Sequence, residues 1–346
     1  MDVKFYEIVV ADAHGAERRL RVPSPTDVQA ADAAAPLVEK RRFHPFHPRD
    51  ARRRSSKNRW AALQDTGRGT GADHARHGGP SRCFVSPEGL AGSAAPGEIT
   101  LRIGTAGWAI PAGVRDRFPV AGGGLERYAS RLGAVEINST FYRRHRVSTF
   151  ERWAAATPAD FRFAVKAPRE ITHRRKLENC EDLLADLAVD LRGLGDRLGP
   201  VLIQTPPGLA FDKTRTGAFL DACKAQIDAS IVLEPRHDSW FTAAADHWLA
   251  SRRVARVAAD PEPAPGAGLP GGSEGQVYFR LHGSPHMYRS AYGTDRLKTI
   301  LQRVAAAGEV GAERWVIFDN TASGAAAADA LALAGLARSA PPAVWS

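Results

Sequence analysis

From Leu101 to its end the chain alternates short β-type runs with longer helical patterns, and this alternation narrows the possible folds more than any other feature. Candidate strands fall at 101–105, 134–138, 161–166, 200–205, 230–236, 254–259, 276–282 and 314–320, each short and rich in apolar or β-branched residues. Helical periodicity fills most of the gaps, at 125–132, 148–156, 181–198, 214–225, 242–251 and 294–307, with 322–336 closing the series. Strands that alternate with helices build parallel sheets through crossover connections. Eight such units over about 240 residues match the count and length of a TIM-type (β/α)8 barrel. A doubly wound open sheet is the runner-up, but Gly104-Thr105-Ala106-Gly107-Trp108 after the first strand lacks the G-x-G-x-x-G spacing of a dinucleotide fold. After Ala259 the chain reads D-P-E-P-A-P-G-A-G-L-P-G-G, a loop where a sixth helix belongs, so the barrel is expected to be irregular after strand six.

The first 98 residues do not share this pattern. Residues 1–39 read as a small ββα unit: F-Y-E-I-V-V and E-R-R-L-R-V flank the turn Asp12-Ala13-His14-Gly15, and Ser24-Pro25-Thr26-Asp27 starts a helix. Residues 40–98 read as a basic, low-complexity and disordered linker, with few apolar groups to offset the entropy of ordering it. Between Lys40 and Arg82 there are 12 Lys or Arg against 3 Asp, so this stretch alone equals the chain's net charge of +9. Charge therefore says little about the barrel, expected over 99–340. Arg clusters with Phe43, Phe46 and Trp60 interleaved suit a nucleic-acid-binding arm.

No apolar run approaches the ~18 residues of a membrane span, and the first ten residues lack a secretory leader. Three widely spaced cysteines, Cys83, Cys180 and Cys223, indicate neither a disulfide framework nor a zinc site. A reducing cytoplasm is the expected location, and no cofactor is named by any motif.

A barrel does its chemistry where strands end, and polar residues gather there. The first strand ends at Thr105, Gly107 and Trp108. The second, V-E-I-N-S-T-F-Y-R, puts Glu136 and Asn138 on one face, then Ser139, Thr140 and Tyr142. The third ends at Lys166, before Arg169, Thr172 and His173; the fourth at Gln204; the fifth at Glu234, Arg236, His237 and Trp240; the sixth at Asp260. The seventh carries Tyr278, Arg280 and His282, then Tyr288, Arg289 and Tyr292, and the eighth ends in Asp319-Asn320. Glu136, Glu234 and His282 are the acid and base candidates. Lys166, Arg236 and Arg280 supply positive charge for a phosphate or carboxylate. Trp108, Asn138, Tyr142, Arg169, His173, Gln204, His237, Trp240, Tyr292, Asp319 and Asn320 complete the candidate substrate-binding set. Glu136 and Glu234 serve equally well as the acidic half of a buried ion-pair network, and the sequence leaves both readings open. A metal site would draw on Glu136, His173, Glu234, His282 and Asp319, but H-x-x-E-H and H-E-x-x-H spacings are absent, so no metal is assigned.

In order, I-G-T-A-G-W, V-E-I-N-S-T-F-Y-R, F-R-F-A-V-K-A-P-R-E-I-T-H, G-P-V-L-I-Q-T-P-P, L-E-P-R-H-D-S-W-F, Y-F-R-L-H-G and F-D-N resemble the YecE-like family, domain of unknown function 72. The resemblance covers about Leu101 to Leu336. It implies a TIM-type barrel and brings no established activity. Pro235 and Asp238 depart from the family's usual aromatic and proline, and residues 1–98 have no counterpart in its pattern. The leading expectation is an enzyme that acts on an anionic, phosphate-bearing substrate by acid/base chemistry. The alternatives are a metal-dependent nuclease of the endonuclease IV type, by fold analogy, and a non-catalytic nucleic-acid-binding protein that uses the basic arm.

Overall fold

The computed structural model describes residues 100–340 and, before them, the backbone of two strands. The chain divides into two compact units, Met1–Glu88 and Gly89–Ser346. In the first, β1 (Phe5–Ala11) and β2 (Glu17–Pro23) pair antiparallel with Phe5 opposite Pro23 and Ala11 opposite Glu17. These are the two strands expected from the two β-type runs. The helix start at Ser24, the basic stretch 40–98 and Cys83 lie outside the described residues.

The second unit holds β3 (Leu101–Ala106), α1 (Gly124–Ala129), β4 (Ala134–Ile137), α2 (Val147–Ala155), β5 (Arg162–Lys166), α3 (Glu181–Leu191), β6 (Leu198–Gln204) and α4 (Lys213–Gln226). After these come β7 (Ile231–Glu234), α5 (Ala243–Ser251), β8 (Ala255–Arg256), β9 (Ala258–Asp260), β10 (Gly271–Gly272), β11 (Gln276–Leu281), α6 (Thr294–Ala305), β12 (Glu313–Phe318) and α7 (Ala325–Ser339). The strands order as β10-β8-β7-β6-β5-β4-β3-β12-β11-β9, parallel throughout except for β10. Its two ends are consecutive pieces of one segment: β8 pairs with β7, β9 pairs with β11, and Val257 between them donates to Leu233 O at 2.9 Å. The sheet thus curls into a nearly closed barrel, and every one of the eight expected segments contributes strand to it.

Two elements differ from expectation. The helix expected over 181–198 stops at Leu191 and tightens into a 3₁₀ turn, Arg192–Arg197, in which Gly195 leaves helical geometry at φ 50°. Gly193 and Gly195 weaken helix where it breaks. Residues 261–275 form no helix, as the Pro- and Gly-rich sequence requires. Instead Gly271–Gly272 pairs with Ala255–Arg256, and Arg256 grips Asp246 of α5 through Nε at 2.7 Å and Nη2 at 2.9 Å.

Helices pack outside the ring through amphipathic faces. In α6, Leu297, Ile300, Leu301 and Val304 repeat at three and four residues and are all buried. Side-chain acceptors fix several helix starts: Asp212 accepts from Arg215 N at 2.8 Å and Thr242 from Ala245 N at 3.2 Å. Inside the ring, Ala134, Ala164, Leu202, Val232, Ala255, Val257, Tyr278, Trp315 and Ile317 form a separate apolar core, with the Tyr278 and Trp315 rings stacked 5.9 Å apart. Gly199 has room for that indole because a Cβ there would sit 2.7 Å from Trp315 Cη2. The barrel is therefore plugged. Among the described residues, no helix is long and apolar enough to cross a membrane.

Candidate functional site

Side chains on a strand alternate between its faces, so the residue two beyond each member of the inner core also points inward. Applied to Ala134, Ala164, Leu202, Val232, Tyr278 and Ile317, this places Glu136, Lys166, Gln204, Glu234, Arg280 and Asp319 above the plug at the C-terminal end. One further step gives Asn138, Arg236 and His282. Polar groups thus replace the apolar core where the strands end.

Arg280 is the hub of the lower tier. It is fully buried and binds Glu136 twice, Nε to Oε2 at 3.0 Å and Nη2 to Oε1 at 2.8 Å. Its Nη1 donates to Glu234 Oε2 at 2.7 Å and its Nη2 to Asp319 Oδ2 at 2.8 Å. Tyr278 adds its hydroxyl to Glu136 Oε2 at 2.9 Å. Both oxygens of Glu136 are thereby occupied. Burial favours the neutral carboxyl of Glu234, but the charges of Arg236 and Arg280 outweigh it and hold Glu234 well below the usual carboxylate range. Asp319 is lowered by the same balance of burial against Arg280, with help from His282. Burial likewise opposes the charge of Arg280, and the three carboxylates reverse it, raising its pKa well above the usual value. Of the two readings open in the sequence, ion-pair network and acid/base pair, this geometry displays the network.

The upper tier is less complete. Arg236 Nη2 lies 2.6 Å from Glu234 Oε1 and 3.1 Å from His282 Nε2, while that ring nitrogen is 3.0 Å from the same Glu234 oxygen. With its proton on Nδ1, His282 accepts from Arg236; with the proton on Nε2, it donates to Glu234. Nδ1 faces Asp319 Oδ2 at 3.2 Å. Asn138 Oδ1, Arg236 Nε and His282 Nδ1 are all buried without a hydrogen-bond partner. Asn138 and Arg236 thus each keep one polar atom for water or a ligand.

Lys166 stands apart from both arrangements. Its backbone is pinned, since Thr140 Oγ1 donates to Lys166 O at 2.7 Å, and its Nζ lies 4.3 Å from the centre of the Phe141 ring. The residue is 8% exposed, and among the described residues its ammonium has no hydrogen bond or ion pair. Burial, then the charge of Arg280, lower its pKa to about 8 despite Asp319, Glu136 and Glu234. Beside it, His173 is pushed down to about 4 by burial and by the charges of Lys166, Arg169 and Arg236. Its Nδ1 meets Thr172 Oγ1 at 2.8 Å within the π-helical turn Glu170–Arg174.

The other candidates divide. Gln204 is half-buried and pairs in register with Glu234. Tyr142, 43% exposed, and the half-buried Trp108, edge-on to Trp153 at 5.0 Å, lie in segments that follow strand ends. His237 Nδ1 accepts from Ser239 N at 3.2 Å and caps a short turn. Trp240 is fully buried, spends its indole N–H on Leu209 O at 2.9 Å and packs on Phe211, so it belongs to the outer core. Tyr292 and Asn320 tie loops together: Tyr292 donates to Asp260 Oδ2 at 2.6 Å, and Asn320 Nδ2 to Asp329 Oδ2 at 2.7 Å. Phe141, the ring beneath the Lys166 ammonium, escaped the sequence reading because an apolar residue between Thr140 and Tyr142 carries no mark of its partner. No group of three or more His, Cys, Asp or Glu among the described residues is arranged to hold a metal ion.

A family model described as a protein of unknown function, DUF72, matches residues 102–344. The chain belongs to the DUF72 family. Among curated DUF72-type relatives, the UPF0759 protein YecE of Escherichia coli K12 is 30% identical over 171 residues, covering 47% of this chain and 60% of that protein. YunF of Bacillus subtilis 168, also a UPF0759 protein, is 31% identical over 150 residues, 41% of this chain and 52% of its own length. The matched region therefore spans only a little over half of these relatives. Crystal structures of DUF72 family proteins share the fold: one from Thermotoga maritima MSB8 at TM-score 0.59 and 23% identity, covering 69% of this chain and 99% of that one. Another, from Enterococcus faecalis V583, gives TM-score 0.58 at 20% identity, covering 71% and 95%.

Proposed function

We propose that this DUF72 barrel is an enzyme that binds a small anionic, phosphate-bearing substrate at its C-terminal end and turns it over by acid/base chemistry. The observation that carries the reading is the unpaired ammonium of Lys166. All three carboxylates of the cluster are bonded to Arg280, so Lys166 and the Arg236 Nε–H are left without acceptors although buried charges are costly unless paired. His173, whose pKa is lowered first by burial and then by the charges of Lys166, Arg169 and Arg236, lies within reach of all three. An anion held there accepts from the Lys166 ammonium and from the Arg236 Nε–H. In this scheme Lys166, Arg169 and Arg236 hold the anion, and His282, set between Glu234 and Asp319, moves the proton. Glu136 and Arg280 hold the strand ends in place.

Calorimetric titration of glycerol phosphate and inorganic phosphate into the full chain tests this. Saturable binding is expected, weakened about 10-fold or more in Lys166→Met and in Arg236→Gln, as loss of a hydrogen bond to a charged group predicts. No binding by the parent protein, or equal binding by both folded variants, contradicts the proposal.

A further inference from the structure

We propose that Lys166 is a nucleophile that captures carbonyl compounds, forming an imine with an aldehyde or ketone borne by a small anionic substrate such as a 2-oxo acid. The inference rests on the anion-binding reading and names the substrate class for that site. Its basis is geometric. Lys166 ends β5 on the inner face, its backbone carbonyl bonded to Thr140, its ammonium over the Phe141 ring and no acceptor bonded to it. A lysine that only clamps anions is best kept charged. This one is buried on an aromatic face near the Arg280 guanidinium, surroundings that ease loss of the proton and give a larger share of neutral amine than an exposed lysine has. Arg236, with its Nε–H unbonded, keeps fixed positive charge beside a carboxylate or phosphate when Lys166 gives up its proton.

The step balances without a further reactant. The Lys166 Nζ lone pair attacks the carbonyl carbon, the C–N bond forms, and the π pair moves to oxygen, which takes up a proton. The carbinolamine then loses that oxygen as water. Both hydrogens of the neutral amine end in the water, and the product is the C=N bond. The upper tier offers a relay for these protons in His282, whose Nε2 sits 3.0 Å from Glu234 and whose Nδ1 faces Asp319.

Reductive trapping tests the inference. The full chain is incubated with glyoxylate, pyruvate or neutral acetaldehyde in the presence of cyanoborohydride, and the adduct is located by intact mass and peptide mapping. The chain has eight lysines, few enough for each to be followed. At least one anionic probe should label Lys166 ten times faster than any other lysine and faster than acetaldehyde does. Arg236→Gln should slow the anionic probe and leave acetaldehyde unchanged. Lys166→Arg, checked for folding by its thermal midpoint, should lose the fast label. Lys166 reacting no faster than the other lysines with all three probes overturns imine formation. If phosphate still binds in the calorimeter, the anion site survives that result; if it does not, both readings fall.

Discussion

Arg280 and Glu136 are joined by two parallel hydrogen bonds, 3.0 and 2.8 Å long, between side chains with no solvent exposure. They come from β11 and β4, which are not neighbours in the sheet, so the pair spans the barrel interior. The same guanidinium reaches Glu234 on β7 and Asp319 after β12. One side chain therefore ties four strand ends together.

Removing one partner of a buried ion pair leaves a buried charge uncompensated, at about 3–5 kcal/mol. Arg280→Met strands three carboxylates and should cost at least that much in urea denaturation, or prevent folding. Glu136→Gln keeps the shape and one acceptor, and should cost less. A double variant, Arg280→Met with Glu136→Leu, should recover part of the loss in a double-mutant cycle.

Acid should act on the same cluster. Glu234 and Asp319 have lower pKa values in the folded state than in the unfolded chain, so unfolding takes up protons as these groups titrate. Their contribution is present above the ordinary carboxylate range near pH ~4 and is lost as pH falls through the lowered folded values. Stability measured from pH 6 downward should fall, and Asp319→Asn should make that fall shallower.

Lys166 gives a signature of the same sign in the alkaline range. Its folded pKa of about 8 lies below the usual 10.5, so the unfolded chain binds more protons between these values and stability from this residue rises with pH across that window. The full rise is roughly 3 kcal/mol at 1.36 kcal/mol per unit. Lys166→Met should remove it, which parallel denaturation series at pH 7.5 and 10 would reveal as a smaller difference for the variant.

The sequence showed which polar side chains gather at the strand ends because alternation along a strand survives without any knowledge of its neighbours. Glu136, Lys166, Glu234, Arg280 and Asp319 all follow apolar residues two positions back, and that spacing alone aims them inward. It could not show who bonds to whom. Whether Glu136 meets a substrate or Arg280 depends on how far β4 and β11 stand apart across the ring, a property of closure. Trp240 shows the same limit: its position after a strand suggested a pocket wall, and only packing against Phe211 and Leu209 places it in the outer core. The broken sixth strand was foreshadowed by its Pro- and Gly-rich sequel, but the closure of the sheet through Val257 was not.

Close approach of strands makes a further prediction at Gly104. A Cβ there would stand 2.1 Å from Ala134 O, on the neighbouring strand β4, which also carries Glu136. Gly104→Ala must push β3 and β4 apart, at a cost of about 1–3 kcal/mol or more. A lowered thermal midpoint together with weaker phosphate binding is the expected pair of results.

The central claim is that the C-terminal end of the barrel holds an anion against Lys166 and Arg236. Crystals of the full chain soaked in tungstate, a heavy phosphate analogue, test it directly through anomalous scattering. The account predicts a peak within hydrogen-bond reach of Lys166 Nζ and Arg236 Nε, absent in crystals of Lys166→Met. Tungstate found only elsewhere on the molecule, with that end of the barrel empty, would contradict it.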